Sequence, residues 1–162
     1  MAFLSRHYGK TVWNGDEIKV VETIHTDGDW QSKPFYEVYT TNKNIELKGF
    51  NSKYLYLLNK ETGKTVFLHR IIYAACMGMN LGLAGLEVHH IDLDTHNNSI
   101  DNLVGMPVSE HRSYHTNLRA AERTGNEEYL NKAEKVLAKN LAIKENRLKK
   151  LETELFKELA EF

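Results

Sequence analysis

The residues best suited to chemistry lie between Glu87 and His115, a stretch that holds five of the chain's eight histidines. His89 and His90 are adjacent in a segment, 87–91, that reads as a short strand. The polar run 92–101 reads as a solvated loop, and 102–106 reads as a returning strand halted by Pro107. Ser109 is expected to cap a helix on which His111 and His115, four apart, share one face. Two imidazoles on one face can share a metal ion. Neighbours in a strand point to opposite faces, so one member of the His89–His90 pair can join the helix histidines while the other is left for different work.

Three imidazoles leave at least one position at the ion open to water or phosphate, unlike a closed structural zinc site with four protein ligands. A divalent ion offsets the charge that builds on phosphoryl oxygens, and a histidine with its ordinary pKa of about 6.5 accepts a proton from water at neutral pH. Phosphodiester hydrolysis needs both. The bland reading of the same residues is a histidine-rich helix and turn facing solvent. An EF-hand reading of Asp92 and Asp94 fails, because the loop lacks the glycine at its sixth position and the glutamate at its twelfth.

The elements that must position these residues can be read on either side. Residues 11–68 carry strand signals, with β-branched and aromatic runs at 18–24 and 35–41 separated by Asp27-Gly28-Asp29 and Lys33-Pro34. A hairpin is expected from 54–58 and 65–68, and a small antiparallel sheet from the region as a whole. Its aromatics, Trp13, Trp30, Phe35, Tyr36, Tyr39, Tyr54 and Tyr56, have two uses. They can fill the sheet's core, the favoured reading, or stack on bases beside Lys43, Lys48 and Lys53. A helix is expected over 68–79, ended by Gly78, with Ile71, Ile72, Ala75 and Met79 packed on the sheet and the histidine hairpin.

The run His89-His90, then Asn102, then His111 resembles the HNH, or ββα-metal, endonucleases. The preceding Leu68-His69-Arg70-Ile71-Ile72-Tyr73-Ala74-Ala75 and the string HHIDLDTHNNSIDNL are similar to phage-encoded HNH proteins of the homing-endonuclease type, over residues 66–115. The resemblance implies a divalent metal (magnesium, manganese, zinc, nickel or cobalt), DNA as substrate, and products with a 5′-phosphate and a 3′-hydroxyl. It implies His90 as general base, His89 and His111 as metal ligands, and Asn102 as support for the loop and the base. His115 matches the additional helix histidine of the colicin nuclease branch. His96, Asn97 and Asn98 read instead as loop-forming residues, and His69 and Arg70 as packing or phosphate contacts.

The whole reads as an α+β protein: a β-rich region over 1–67, the ββα-metal module over 68–124, and an amphipathic helix over 125–162. The formal net charge of −1 is awkward for a DNA enzyme, since phosphate binding is driven largely by Lys and Arg displacing counterions. Arg112, Arg119 and Arg123 recur along the motif helix, where they meet either a DNA backbone or solvent. Binding should be weak or salt-sensitive unless oligomerisation doubles the surface. Leu141, Leu148, Leu155 and Phe162 recur every seven residues of the final helix, and Leu137 and Leu151, four positions ahead of Leu141 and Leu155, begin a second stripe that Lys144 and Glu158 interrupt. A homodimeric coiled coil and a helix folded back on its own domain both account for that stripe.

No apolar run is long enough to span a bilayer, no secretory pattern opens the chain, and the single cysteine, Cys76, reads as a buried thiol. A reducing cytoplasm is expected. Two rival functions stand beside the nuclease: a DNA-binding or assembly protein with a structural or vestigial metal, and an RNA-cutting or nonspecific toxin nuclease.

Overall fold

A computed structural model describes residues 8–23 and 35–160. Trp30, Ile24, Asp27-Gly28-Asp29, Lys33-Pro34, Phe162 and the side chain of Phe35 lie outside the described residues.

The chain opens with a hairpin of β1 (Tyr8–Trp13) and β2 (Asp16–Thr23), paired from Tyr8 with Val21 to Trp13 with Asp16. Its two-residue turn is Asn14-Gly15, with φ of 49° and 87°, the left-handed pair that matches strand twist. β3 (Phe35–Tyr39) adds to the far side of β2. Alternate residues Thr11, Trp13, Ile18 and Val20 are buried, so one face of the sheet meets the core.

A second sheet follows, of β4 (Ile45–Lys48), β5 (Tyr56–Asn59) and β6 (Thr65–Phe67), with β5 central. The expected single sheet is thus two. The break falls at the polar segment 40–44, where the Asn42 carboxamide accepts from the Asn44 amide and turns the chain away from β3.

α1 (Leu68–Met77) starts directly from β6 and ends at Gly78, whose left-handed φ of 62° lets its N–H return to the last turn. The helix is two residues shorter than its apolar pattern suggests for this reason. Ile71, Ile72 and Ala74 are fully buried between the first sheet and the histidine hairpin, and Cys76 is buried beside them. β1 approaches α1 so closely that a Cβ on Gly9 would sit 2.1 Å from the Ala75 carbonyl oxygen. Gly9→Ala is therefore expected to lower unfolding free energy by roughly 1–3 kcal/mol, the usual cost of overpacking a filled core, read as a reduced denaturant midpoint.

The histidine-bearing strands are β7 (Leu86–His90) and β8 (Leu103–Pro107), paired from Leu86 with Pro107 to His90 with Leu103. α2 (Val108–Thr124) follows without a gap. Ser109 is not its cap: Pro107 occupies that position with φ −53° and ψ 145°, and its ring presets the extended turn into the helix. Gly125 ends α2 and α3 (Glu127–Ala160) returns as one long helix.

α3 packs on α2, α1 and β8, burying Ala133, Asn140, Lys144 and Leu148. Lys144, which interrupts the leucine stripe in sequence, is only 2% exposed, and its ammonium donates to the Ile100 carbonyl. Arg147 donates to the Met77 carbonyl at 2.7 Å and to that of Gly78 at 3.2 Å, satisfying the end of α1. No helix among the described residues is long and apolar enough to cross a membrane.

Candidate active site

β7, the 91–102 loop, β8 and α2 form a ββα unit, and the rest of the chain fixes its loop. The Ile100 amide donates to the Tyr36 hydroxyl at 2.9 Å while Lys144 holds the Ile100 carbonyl from the other side. His96 bonds the Ser52 carbonyl at 2.6 Å, and Thr95 donates to that of Lys53. The first sheet, the connection between β4 and β5, and α3 each hold one part of the loop. His96 is thereby a loop anchor, as its sequence context suggests.

Within this frame His89, on β7, and His111 and His115, one turn apart on α2, bring one ring nitrogen each within 4.8 Å of one another. His111 Nε2 is central, 3.2 Å from His89 Nδ1 and 3.0 Å from His115 Nε2. Donors about 2.0–2.1 Å from one tetrahedral ion would stand slightly over 3 Å apart, so the set fits a divalent cation. The Glu87 carboxylate accepts from His111 Nδ1 at 2.6 Å, which keeps the proton there and turns the Nε2 lone pair towards the other two rings. Tyr114 packs edge-on to His89 with centroids 4.7 Å apart and fixes that ring from behind. The outer nitrogen of His89, Nε2, is buried with no hydrogen-bond partner.

His90 points away from this triad, as strand alternation requires, yet lines the same cavity of about 440 Å³. Its Nε2 lies 2.8 Å from Asn98 Oδ1, and its ring meets His69 edge-on at 4.8 Å. With the amide oxygen accepting, Nε2 carries the proton and Nδ1 keeps the lone pair. Asn102 serves the loop. Its Oδ1 accepts from the Asp92 amide at 3.0 Å, and its Nδ2 donates to Asp92 Oδ1 and the Asn97 carbonyl, both at 2.8 Å. The side chain on His90 is Asn98, which the sequence reading leaves among the loop residues. Arg112, Arg119 and Arg123 are exposed along α2.

Burial lowers the pKa of His89, His90 and His115. His89 is pushed down to about 3, by burial first and then by His111 and His115. His115 is lowered by burial, His111 and Arg119. Burial also lowers His90, against an upward pull from Asn98. Neutral rings keep lone pairs free for a cation or a proton. His69 is likewise pushed down to about 3, by burial and then by His90 and Arg70.

Since the unfolded chain takes up that proton near pH 6.5 and the folded chain does not, stability contributed at His69 is full above pH 6.5. It is lost as pH falls towards 3, by at most about 1.4 kcal/mol per pH unit. Denaturant midpoints of the metal-free protein should fall between pH 7 and 5, and fall less in His69→Phe.

The fold and the converging rings define a ββα unit with three imidazoles gathered at one point. Residues 66–113 match the family model described as HNH endonuclease, and by that match this segment, under a third of the chain, is an HNH segment and points to nuclease chemistry. Searches of curated proteins and of solved structures found no match. Two contributors escape the motif. Glu87 has a sequence signal, standing two residues before His89 on the same strand face. Asn98 has none, because its approach to His90 depends on the loop's path.

Proposed function

We propose that the chain is a metal-dependent DNA endonuclease that hydrolyses a phosphodiester bond with His90 as general base. What carries the reading is one cavity lined both by three converging imidazoles and by a fourth whose outer nitrogen is already bonded to Asn98. His89 Nδ1, His111 Nε2 and His115 Nε2 would hold a single divalent ion. When bound, such an ion supplies positive charge to the phosphate in flight and to the leaving oxygen.

The protein's own residues do the rest. His90 Nδ1 accepts the proton of the attacking water, and Asn98 Oδ1 fixes the tautomer and stabilises the imidazolium that forms. Asn102 keeps the loop that carries Asn98 in register with β7. Glu87 orients His111. The exposed Arg112, Arg119 and Arg123 would meet flanking phosphates, giving binding that weakens steeply with salt. The products are a 5′-phosphate and a 3′-hydroxyl.

The 1–67, 68–124 and 125–162 divisions correspond in this reading to a docking region, the nuclease module and a bracing helix. Phe156 and Leu159 remain exposed on one side of α3 and would pair two copies, bringing two cleavage sites together for double-strand cutting. A light-scattering mass of one chain would remove the dimer without touching the nuclease.

Supercoiled plasmid incubated with magnesium, manganese, zinc, nickel or cobalt in turn is the test. Nicked circles with at least one metal and none with chelator are expected. Intact plasmid in all five, with zinc bound tightly and DNA shifted without cleavage, would instead support the structural-metal alternative.

A further inference from the structure

Three residues of the catalytic cavity, Tyr54, Phe67 and Leu93, take no part in hydrolysis as set out above. They are apolar or aromatic where water and phosphate must enter. Leu93 is 57% exposed and lies three residues after His90 with φ at +64°, a left-handed backbone that disfavours any residue with a Cβ.

The turn enforces that conformation. The Leu93 amide donates to the His90 carbonyl at 3.1 Å, Asn102 grips Asp92, and Asp92 in turn accepts from the Asp94 amide at 2.8 Å. A leucine so placed gains little burial to offset its backbone. Such a conformation persists where the surroundings over-determine it, and here those surroundings are the cavity's own loop.

Phe67 is 44% exposed and stacks on His69 with rings 16° apart and centroids at 5.4 Å. Tyr54 stands 5.0 Å from Phe67, with the Lys53 ammonium 5.4 Å from its centre. Arg70 lines the same cavity, anchored by the Leu81 carbonyl at 3.0 Å. The cavity thus offers cations and imidazoles for an anion, and beside them a backed aromatic ring and an exposed leucine for a flat apolar group. A nucleotide joins these two chemistries within its own length.

We propose that Phe67 and Leu93 clasp an unstacked nucleobase next to the scissile phosphate, so that the preferred substrate is DNA that is single-stranded or locally unpaired at the cut. The proposal rests on the nuclease reading and narrows it. Base stacking on an aromatic platform tolerates any sequence, and an unpaired base avoids the cost of leaving a duplex.

The experiment compares kcat/KM on one sequence presented as a single strand, as a duplex with a short mismatched bubble, and as a perfect duplex. The unpaired forms should be cut at least about 10-fold more efficiently, with Leu93→Gly and Phe67→Ala each raising KM on the bubble by about 10-fold and changing kcat less. Leu93→Gly should also raise the melting temperature, because glycine relieves the left-handed turn. A merely structural role for Leu93 would move stability and activity together.

Equal cutting of perfect duplex and bubble, or unchanged KM in both variants, would overturn the clasp. Should the wild type cut nothing with any metal, the nuclease reading fails by itself. Binding of the same three DNAs by the metal-loaded chain then decides the clasp: a bubble preference lost in Leu93→Gly supports it, and no preference refutes it.

Discussion

His90→Ala is expected to lower the cleavage rate by about 10²–10⁴-fold, the usual contribution of a positioned general base, while the metal stays bound. The separation follows from geometry. The His90 ring bonds Asn98 and meets His69, whereas the three donor nitrogens are contributed by His89, His111 and His115. Removing the ring therefore takes the proton acceptor and leaves the donor set whole. Asn98→Ala should give a smaller loss of the same kind, since the ring survives without the acceptor that fixes its tautomer. Asn98→Asp, which keeps an acceptor oxygen, should recover part of it. Metal titration by calorimetry beside a plasmid-nicking time course reads both quantities. Normal cutting by His90→Ala would remove its assigned role.

The second large effect is expected from His111→Ala, which should weaken metal affinity and cleavage together. His111 Nε2 lies next to both other donors, and its Nδ1 is the partner of Glu87. Its loss removes the central ligand and leaves a carboxylate without its imidazole. Glu87→Gln keeps all three ligands but weakens the orientation of one, so a loss of about 10–100-fold in metal affinity is expected, recoverable by excess metal. In His111→Ala the loss should exceed that of Glu87→Gln, with saturating metal restoring cleavage only in part. Equal metal affinity in wild type and His111→Ala would place the ion elsewhere.

The histidine spacing made the site legible because the two periodicities involved are local. A four-residue step on a helix and a one-residue step on a strand place side chains without knowledge of the tertiary fold. The ββα order was legible for the same reason, although its strand boundaries moved by a residue and the helix cap passed from Ser109 to Pro107. The two N-terminal sheets were not separable, because strand propensity says nothing of which strand pairs with which.

Aromatic roles divided along the same line. Trp13 and Tyr36 are buried as a sheet core requires, whereas Tyr54 lines the cavity beside Phe67, His69 and His90, a position set by the tertiary fold. Lys144 read as a break in an apolar stripe, yet the helix uses it to hold the loop at Ile100, forty-four residues away. Asn98 reaches His90 only because that loop is pinned by Tyr36, Lys144 and Ser52 together.

The central claim is that His89, His111 and His115 share one cation with a position left open. X-ray absorption of the zinc- or nickel-loaded protein at the metal edge measures this directly. Three imidazole nitrogens, at about 2.0–2.1 Å for zinc, with one or more exchangeable oxygen ligands are predicted, and one ring fewer in His111→Ala. A first shell closed by four protein ligands, or one unchanged in His111→Ala, would contradict it.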